Sequence, residues 1–434
     1  MKLRSTSGRL RAAAAGLALV TSVALAGCGA GGSSAGTAGK LTVLVEGGGK
    51  AELQPIADLY KKQTGTTVDL VELPYDGLYD RIQTALGAGK ASFDVAALDA
   101  IWLSAFSAGL SPLDDLFTGD VKGDLFPGLV TEAQVGGSYV GMPVWTNSEI
   151  LYYRKDLFSS PKEKAAFQAK YGYPLVPPTT WKQYKDVAAF FTRDTNGDGQ
   201  TDLYGTDVKG AVETEWLATV SQTGEKTMVL DPKSGDVTID DADHLAALNF
   251  YTSLLPYAPP GAAQLDWAGA QNLFYQGKLA MMRFWGHAYT QTPANAAVKG
   301  KIGVAPMIAG PGGIAGVPGA WYLSVPKATS HQAEAKKFIA FAYQHNDLSI
   351  KTSLGLVSRI SAFESQAGVA GHENYPAILT TLKSPATIAR PATPKWQQIV
   401  TTVLTPMLQK AVVKGADNAA LLKQAKTQIQ AIVK

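Results

Sequence analysis

One unit recurs three times early in this chain: a short β-branched run, a turn, then apolar residues at helical spacing. Leu41 through Val45 runs into Glu46-Gly47-Gly48-Gly49, and Leu53, Ile56, Ala57, Leu59 and Tyr60 follow at the spacing of one helix face. Residues 67–73 alternate as a strand ahead of a helical stretch at 79–86. A third apolar run at 93–98 stops at Asp99, before another helical stretch at 101–110. Strands alternating with helices predict an α/β fold with a parallel sheet covered on both faces, and ligand-facing groups at the carboxyl ends of the strands. Glu46 and Asp99 stand at two such ends. The glycines after Glu46 lack both the Gly-x-x-x-x-Gly-Lys-Ser/Thr pattern and the spaced dinucleotide fingerprint, so they predict a tight turn rather than a phosphate cradle.

The alternation then changes texture. After Gly141-Met-Pro-Val-Trp-Thr-Asn147 and an apolar run at 150–153, longer helical segments appear at 180–191, 242–254 and 268–276, separated by turns such as Pro177-Pro178 and Pro259-Pro260-Gly261. Strand character returns at 301–306 and 321–326, a helix follows at 332–343, and residues 396–433 read as nearly all helix. At 434 residues the chain has room for two domains, and 46% hydrophobic with 17% charged residues is the composition of an ordinary globular core.

The N-terminus reads as an address. Lys2, Arg4, Arg9 and Arg11 precede an apolar stretch at 12–26, the pattern of a secretory signal over residues 1–27 and too short for a comfortable membrane span. Leu25-Ala26-Gly27-Cys28 resembles a bacterial lipobox, whose cysteine becomes the lipid-bearing N-terminus. Cys28 is the only cysteine in the sequence, so it has no partner for an internal disulfide or a thiolate metal site. Residues 28–39 then form the lipidated cysteine and a flexible tether, a Gly/Ser-type coil of about 20 Å reach. This predicts a body held at the extracytoplasmic face of a bacterial cell membrane. Setting aside the four N-terminal bases, 35 Lys and Arg stand against 36 Asp and Glu, which leaves no electrostatic footprint for nucleic acid.

Four local patterns, in this order and behind a lipobox, carry a family resemblance. They are Leu98-Asp99-Ala-Ile-Trp102 ahead of Ala108-Gly109-Leu110; Gly141-Met-Pro143 leading to Leu151-Tyr-Tyr-Arg-Lys-Asp-Leu157; Phe274-Tyr-Gln-Gly277-Lys-Leu-Ala280-Met281 leading to Trp285-Gly286; and Gly319-Ala-Trp-Tyr-Leu-Ser-Val-Pro326. Gly355-Leu-Val-Ser-Arg359 and Arg390-Pro391 with Trp396 add to them. From about Lys40 onward the chain resembles the extracellular solute-binding proteins, family 1, of ABC importers, the group that includes maltose-binding proteins. The resemblance implies a two-lobe periplasmic-binding-protein type II fold with an interlobe cleft and hinge. Its first lobe would comprise residues 40–146 plus 301–345 and its second residues 147–300 plus 346–434, with crossings near 144–150, Gly300 and Asn346. It further implies a monomer that needs no cofactor, traps a sugar or oligosaccharide and delivers it to ABC permease subunits.

A pyranose has an apolar C–H face that stacks on aromatic rings and a rim of hydroxyls that needs planar hydrogen-bonding groups. The expected cleft residues are therefore Trp102, Trp216, Trp285, Trp321 and Trp396, with Glu46 and Asp99 from the first lobe, Asn147 at the crossing, and Arg283 and Arg359 from the second. Trp181, on its helix, reads as core, and Arg359 reads equally as half of a structural interlobe ion pair. In maltose-binding relatives the position aligned with Asn147 is acidic, which leaves the exact sugar open. The loop Asp194-Thr-Asn196-Gly-Asp198-Gly199-Gln200-Thr-Asp202 matches the first part of an EF-hand calcium site, but Gly205 stands where a bidentate Glu belongs. It reads either as a structural calcium site or as a polar Asx/Gly turn.

A secreted polysaccharide-active enzyme is the rival class. Neighbouring acids such as Glu213/Glu215 and Asp114/Asp115 do not define the spaced pair of a glycosidase. Gly32-Ser-Ser34-Ala-Gly36 lies inside the tether, and the five histidines form no His-Glu-x-x-His pair. The expectation is a binding protein and not an enzyme. The remaining alternative is the same fold with a non-sugar cargo, such as a polyamine or an organic anion, which an excess of one charge in the cleft would reveal.

Overall fold

The computed structural model describes residues 39–231 and 233–434. The expected signal peptide at 1–27, Cys28 and the expected tether up to residue 38 lie outside the described residues. Among those described, no helix is long and apolar enough to cross a membrane.

The first three units fold as their spacing predicts. Strand β1 (Lys40–Glu46) leads through a glycine turn into helix α1 (Gly49–Thr64), whose buried face is formed by Leu53, Ile56, Ala57 and Tyr60. Gly48 caps that helix at φ 88, a left-handed conformation that glycine adopts without a Cβ clash. Strand β2 (Thr67–Leu73), helix α2 (Tyr75–Gly87), strand β3 (Val95–Asp99) and helix α3 (Ala100–Phe106) follow. The sheet runs β2-β1-β3 in parallel and is then extended by Trp321–Ser324 and Met142–Trp145. Trp321–Ser324 is antiparallel to both its neighbours, so the sheet is mixed rather than wholly parallel. That reversal brings Trp321 opposite both Asp99 and Trp145, at the edge where Glu46 also ends.

A second, three-stranded sheet has Glu149–Arg154 at its centre, with Met281–Trp285 and Ile302–Ala305 antiparallel on either side. Its helices include Trp181–Phe191, Thr214–Thr223 and Ala242–Thr252. The chain passes between the two sheets at 146–148 and again between Ala305 and Trp321. The third passage lies between Asn346–Lys351, which packs on α1, and Asn374–Lys383, which packs on Glu149–Arg154. Two expected boundaries therefore move. Residues 301–305 belong with the second lobe, because Ile302–Ala305 pairs with a strand about 150 residues earlier, and the last passage begins after Ile360–Glu364 rather than at Asn346, since Ile360 N–H still donates to the Asp124 carbonyl and Phe363 still packs on Phe126.

The crossings lie side by side. Asn147 N–H donates to the Gly319 carbonyl at 3.1 Å and Gly319 N–H returns the bond at 2.9 Å, while Thr146 N–H donates to the Val357 carbonyl at 2.9 Å. The tail is nearly all helix, as its spacing predicts, with one break. Trp396–Ile399 continues through a widened π turn into Thr405–Ala411, then breaks, and Asn418–Val433 starts afresh with the Asp417 carboxylate accepting from Ala420 N–H.

Candidate functional site

Asp99 closes β3 and caps α3, with one carboxylate oxygen accepting from Ile101 N–H at 3.3 Å and the other from the Tyr75 hydroxyl at 2.9 Å. One turn on, Trp102 is fully buried, its ring 4.6 Å from Tyr75, 5.3 Å from Tyr79 and 5.6 Å from Trp321. Trp321 is half-buried and lies 5.9 Å from Trp145 at an interplanar angle of 28°. The edge-on and offset arrangements are those that ring quadrupoles favour. Glu46 is half-buried beside this wall. Burial, followed by the nearby negative charges of Asp99 and Glu72, pushes its carboxyl up to about 7.

Arg390 reaches this edge from the segment between Asn374–Lys383 and Trp396–Ile399. Its Nη2 donates to Asp99 at 3.1 Å and faces the Pro318 carbonyl at 3.4 Å; the two side chains are only 7% and 10% exposed. Glu132 and Glu213 feel the same pair of charges. Burial pushes Glu132 up to about 7, although the Tyr322 hydroxyl donates to it at 2.8 Å, and burial also raises Glu213 against the pull of Arg390. The short helix Trp396–Ile399 packs against α3. The indole N–H groups of Trp102 and Trp396 are both buried without a protein acceptor, an arrangement that costs free energy until an acceptor is supplied. This junction combines aromatic faces, carboxyl acceptors, indole donors and one guanidinium.

The other expected residues lie elsewhere. Asn147 is buried in the hinge: its Oδ1 accepts from Ser148 N–H at 3.0 Å and Gly286 N–H at 3.1 Å, and its Nδ2 meets His287 Nδ1 at 2.7 Å. Those contacts occupy its amide. His287 suits the acceptor role because burial holds its pKa down at about 4, leaving the ring neutral. Arg359 pairs with Asp124 at 2.7 Å and donates to the Gln344 carbonyl at 3.1 Å, which is the structural reading of that residue, although within one lobe. Trp285 is half-buried at the lobe junction, where a Cβ on Gly319 would come 2.7 Å from its ring. Trp216 and Arg283 lie fully buried inside the second lobe. Trp216 neighbours His244, and Arg283 sits between the rings of Tyr184 and Tyr251, with its cation 5.4 and 5.3 Å from their centres.

Tyr75, Glu132, Glu213 and Arg390 complete the junction and were not among the expected contacts. Tyr75 follows the end of β2, so the strand-end argument that picked Glu46 and Asp99 applied to it equally. Arg390 stood in a quoted motif but had no local signal for its direction.

Calcium is not supported at the 194–202 loop. The Asp194 carboxylate accepts from the N–H groups of Asn196, Gly197 and Gly199 at 3.0, 2.6 and 2.7 Å, and Asp202 accepts from Thr195, which is the closed polar turn of the alternative reading. Among the described residues, Glu225, Asp241 and His244 come close enough to share an ion. Both ring nitrogens of His244 are already taken, by the Met228 carbonyl and by Asp241, each at 2.7 Å.

The profile of the bacterial extracellular solute-binding proteins matches residues 45–346. A curated relative from Deinococcus radiodurans, named "Probable ABC transporter-binding protein", is 31% identical over 308 residues, covering 68% of this chain and 69% of that one. The maltose-bound T. maritima protein MalE3 superposes with a TM-score of 0.72 at 25% identity, over 90% of this chain and 99% of its own. A solute-binding protein from Thermotoga lettingae bound to α-D-tagatose gives 0.74 at 24% identity, over 92% and 100%.

Proposed function

The chain belongs to the bacterial extracellular solute-binding proteins, the solute-capturing components of ABC transporters, and from that premise we propose that it takes up a sugar or oligosaccharide and passes it on unaltered. The observation that carries this reading is the wall of Tyr75, Trp102, Trp145 and Trp321 facing the Asp99–Arg390 pair. Ring faces stack on sugar C–H groups, and the carboxylate and guanidinium meet hydroxyls. Carboxyls raised to about 7, as at Glu46 and Glu132, are substantially protonated near neutrality and can both donate to and accept from hydroxyls. The solved relatives holding maltose and tagatose support the same class.

Solute contacting both walls favours the closed arrangement by its differential affinity, and the permease then distinguishes loaded from empty protein. The working set of contacts is Glu46, Tyr75, Asp99, Trp102, Glu213, Trp285, Trp321, Arg390 and Trp396. No hydrolysis accompanies binding. Intrinsic tryptophan fluorescence against a panel of mono-, oligosaccharides and polyols tests this reading. A saturable shift with no new reducing ends is expected, and a flat response across the panel would retire it. One observation favours a second reading: the carboxyls of Glu46, Asp99, Glu132 and Glu213 outnumber the single guanidinium of Arg390. Spermidine in the same panel decides between a neutral and a cationic cargo.

The lipobox at 25–28 supports anchoring of a monomer to the extracytoplasmic face through Cys28. Metabolic labelling with palmitate should mark the native chain and spare Cys28→Ala; equal labelling would remove Cys28 from this role.

A further inference from the structure

The sheet of the first lobe has two ends of opposite charge. Its strands β1, β2 and β3 run parallel, with Lys40 opposite Thr67 and Val43 opposite Val95, so their starts share one end and their finishes the other. Trp321–Ser324 runs the reverse way and finishes beside the strand starts, with Ser324 opposite Ala96. Glu46, Glu72 and Asp99 stand at the finishing end, beside the solute junction.

The starting end is basic. Lys40 opens β1, and Lys61 and Lys62 lie in the last turn of α1, which returns the chain to the start of β2. Lys90 follows α2 on the way to β3, and Lys327 follows Trp321–Ser324. All five residues are exposed. Among the described residues only Lys40 of the five pairs with a carboxylate, Asp69 at 3.2 Å, while Lys327 Nζ donates to the Ala108 carbonyl at 2.9 Å. Asp94, at the same end, is engaged inward: it accepts from Thr42 N–H at 2.8 Å, the Thr329 hydroxyl at 2.5 Å and His331 Nδ1 at 2.9 Å. Glu334 and, one turn back along α1, Asp58 are the other exposed carboxylates nearby. Beyond the N-terminal bases the chain balances 35 Lys and Arg against 36 Asp and Glu. The first lobe nevertheless separates its charges along the seven residues of β1, a span of roughly 23 Å.

The chain also enters the body here. Gly39 is the first described residue, and its carbonyl accepts from Thr67 N–H at 2.9 Å. Residues 1–38, with the lipobox at 25–28, therefore join the body at its basic end, away from the solute edge. Anchored at Cys28, a Gly/Ser-type segment of this length holds that end within about 20 Å of the membrane.

We propose that the basic end of the first lobe, formed by Lys40, Lys61, Lys62, Lys90 and Lys327, rests on the anionic phospholipid headgroups of the membrane, with the solute edge of that lobe turned away from the bilayer. Each base that reaches an anionic surface strengthens the contact by roughly fivefold, and the attraction fades within a Debye length. Apolar insertion plays no part, because the exposed large hydrophobics of the described residues, Val176, Trp267, Val369 and Val413, lie elsewhere. Such a contact is reversible, so the body can turn from the lipid to a permease.

The inference goes beyond solute capture and rests on the reading of an N-terminal anchor. The full chain is mixed with vesicles of phosphatidylcholine, alone or with about one third phosphatidylglycerol. Its lysines are acylated with an N-hydroxysuccinimide ester, and the rate at each is read by mass spectrometry. At low salt, Lys61, Lys62 and Lys90 should react about fivefold more slowly, or slower still, on the anionic vesicles. The exposed Lys162 and Lys423 of the second lobe should keep their rates, and high salt should cancel the difference. Lys61→Gln combined with Lys62→Gln should restore the rate at Lys90. Matching rates on both vesicles overturn the proposal and leave these lysines as partners of helix dipoles. Slowing shared equally by Lys162 and Lys423 overturns it too. So does slowing by soluble polyphosphate that vesicles do not reproduce, which would assign the face to an anionic polymer. Failure of the anchor reading shows instead as equal palmitate labelling of the native chain and Cys28→Ala, a result that leaves the rate difference between vesicles unaffected.

Discussion

The lobe junction and the interior of the second lobe use the same residue types for different ends. At the junction, Asp99 and Arg390 pair beside the aromatic wall, and Trp285 and Trp321 remain half-buried. Inside the second lobe, the Lys209 ammonium is held by Asp207 and Glu215 and lies 3.1 Å from the Arg283 carbonyl, while Glu215 stands 3.7 Å from the Arg283 guanidinium. All four side chains are fully buried. Both sites contain ion pairs shielded from water, but the second one moves as a unit within a single lobe. Its charges can only compensate each other, and removing one leaves its partners desolvated and unpaired. The Asp99–Arg390 pair instead borders half-buried rings at the junction, where a solute hydroxyl can compete for either partner.

The largest test of this contrast is Lys209→Met. It strips the cation from Asp207 and Glu215 and should cost about 3–5 kcal/mol in urea unfolding, with solute affinity of the folded fraction unchanged. A loss under about 1 kcal/mol would erase the difference between the two sites. Trp216→Ala and Trp321→Ala sharpen it next. The first should lower stability by about 3–5 kcal/mol through a core cavity with affinity preserved, whereas the second should weaken solute binding by about tenfold or more in calorimetry. Equal affinity losses would place both rings at the solute.

A smaller effect is expected from pH. Burial, then the negative charge of Glu215, raises Glu149 from the usual 4.5 to about 8. The folded state therefore keeps a proton that the unfolded chain has released. The stability from this group is complete below about 4.5, declines as pH rises, and is lost by about 8. Glu149→Gln should flatten the fall in melting temperature over that window, and a parallel curve for variant and native protein would show that Glu149 ionises normally. Smallest of all, EGTA or added calcium should move the melting temperature by less than about 1 °C, since only an ion bound to the folded state shifts it. A larger rise with calcium would reopen the 194–202 loop as a metal site.

Much of the fold was legible because its signals are local. The helical spacing of Leu53, Ile56, Ala57 and Tyr60 became the buried face of α1, and the glycines after Glu46 became the turn that leads into it. Asp99 was placed at a strand end and proved to be a helix cap, a polar wall residue and half of an ion pair with Arg390 at once. Tryptophan identity carried far less. Trp102, Trp216, Trp321 and Trp396 look alike in the sequence, yet Trp216 lies within one lobe while Trp321 faces the junction. That outcome depends on strand pairing, since Trp321 reaches the cleft edge only because its strand runs antiparallel beside Asp99. The boundary near residue 301 failed for the same reason, because a strand of four residues carries no mark of which sheet will accept it.

By itself, the sequence determined the alternating elements and the family, both of which rest on residues a few positions apart or on motifs in a fixed order. Only the tertiary structure decided which charges face the cleft and which hold a lobe together. Asp99 and Arg390 are separated by 291 residues, and Glu52 meets Leu354 across 302. Contacts at that range come from the whole packing arrangement, in which burial and the direction of each strand are settled jointly, so no local window contains the information that selects them.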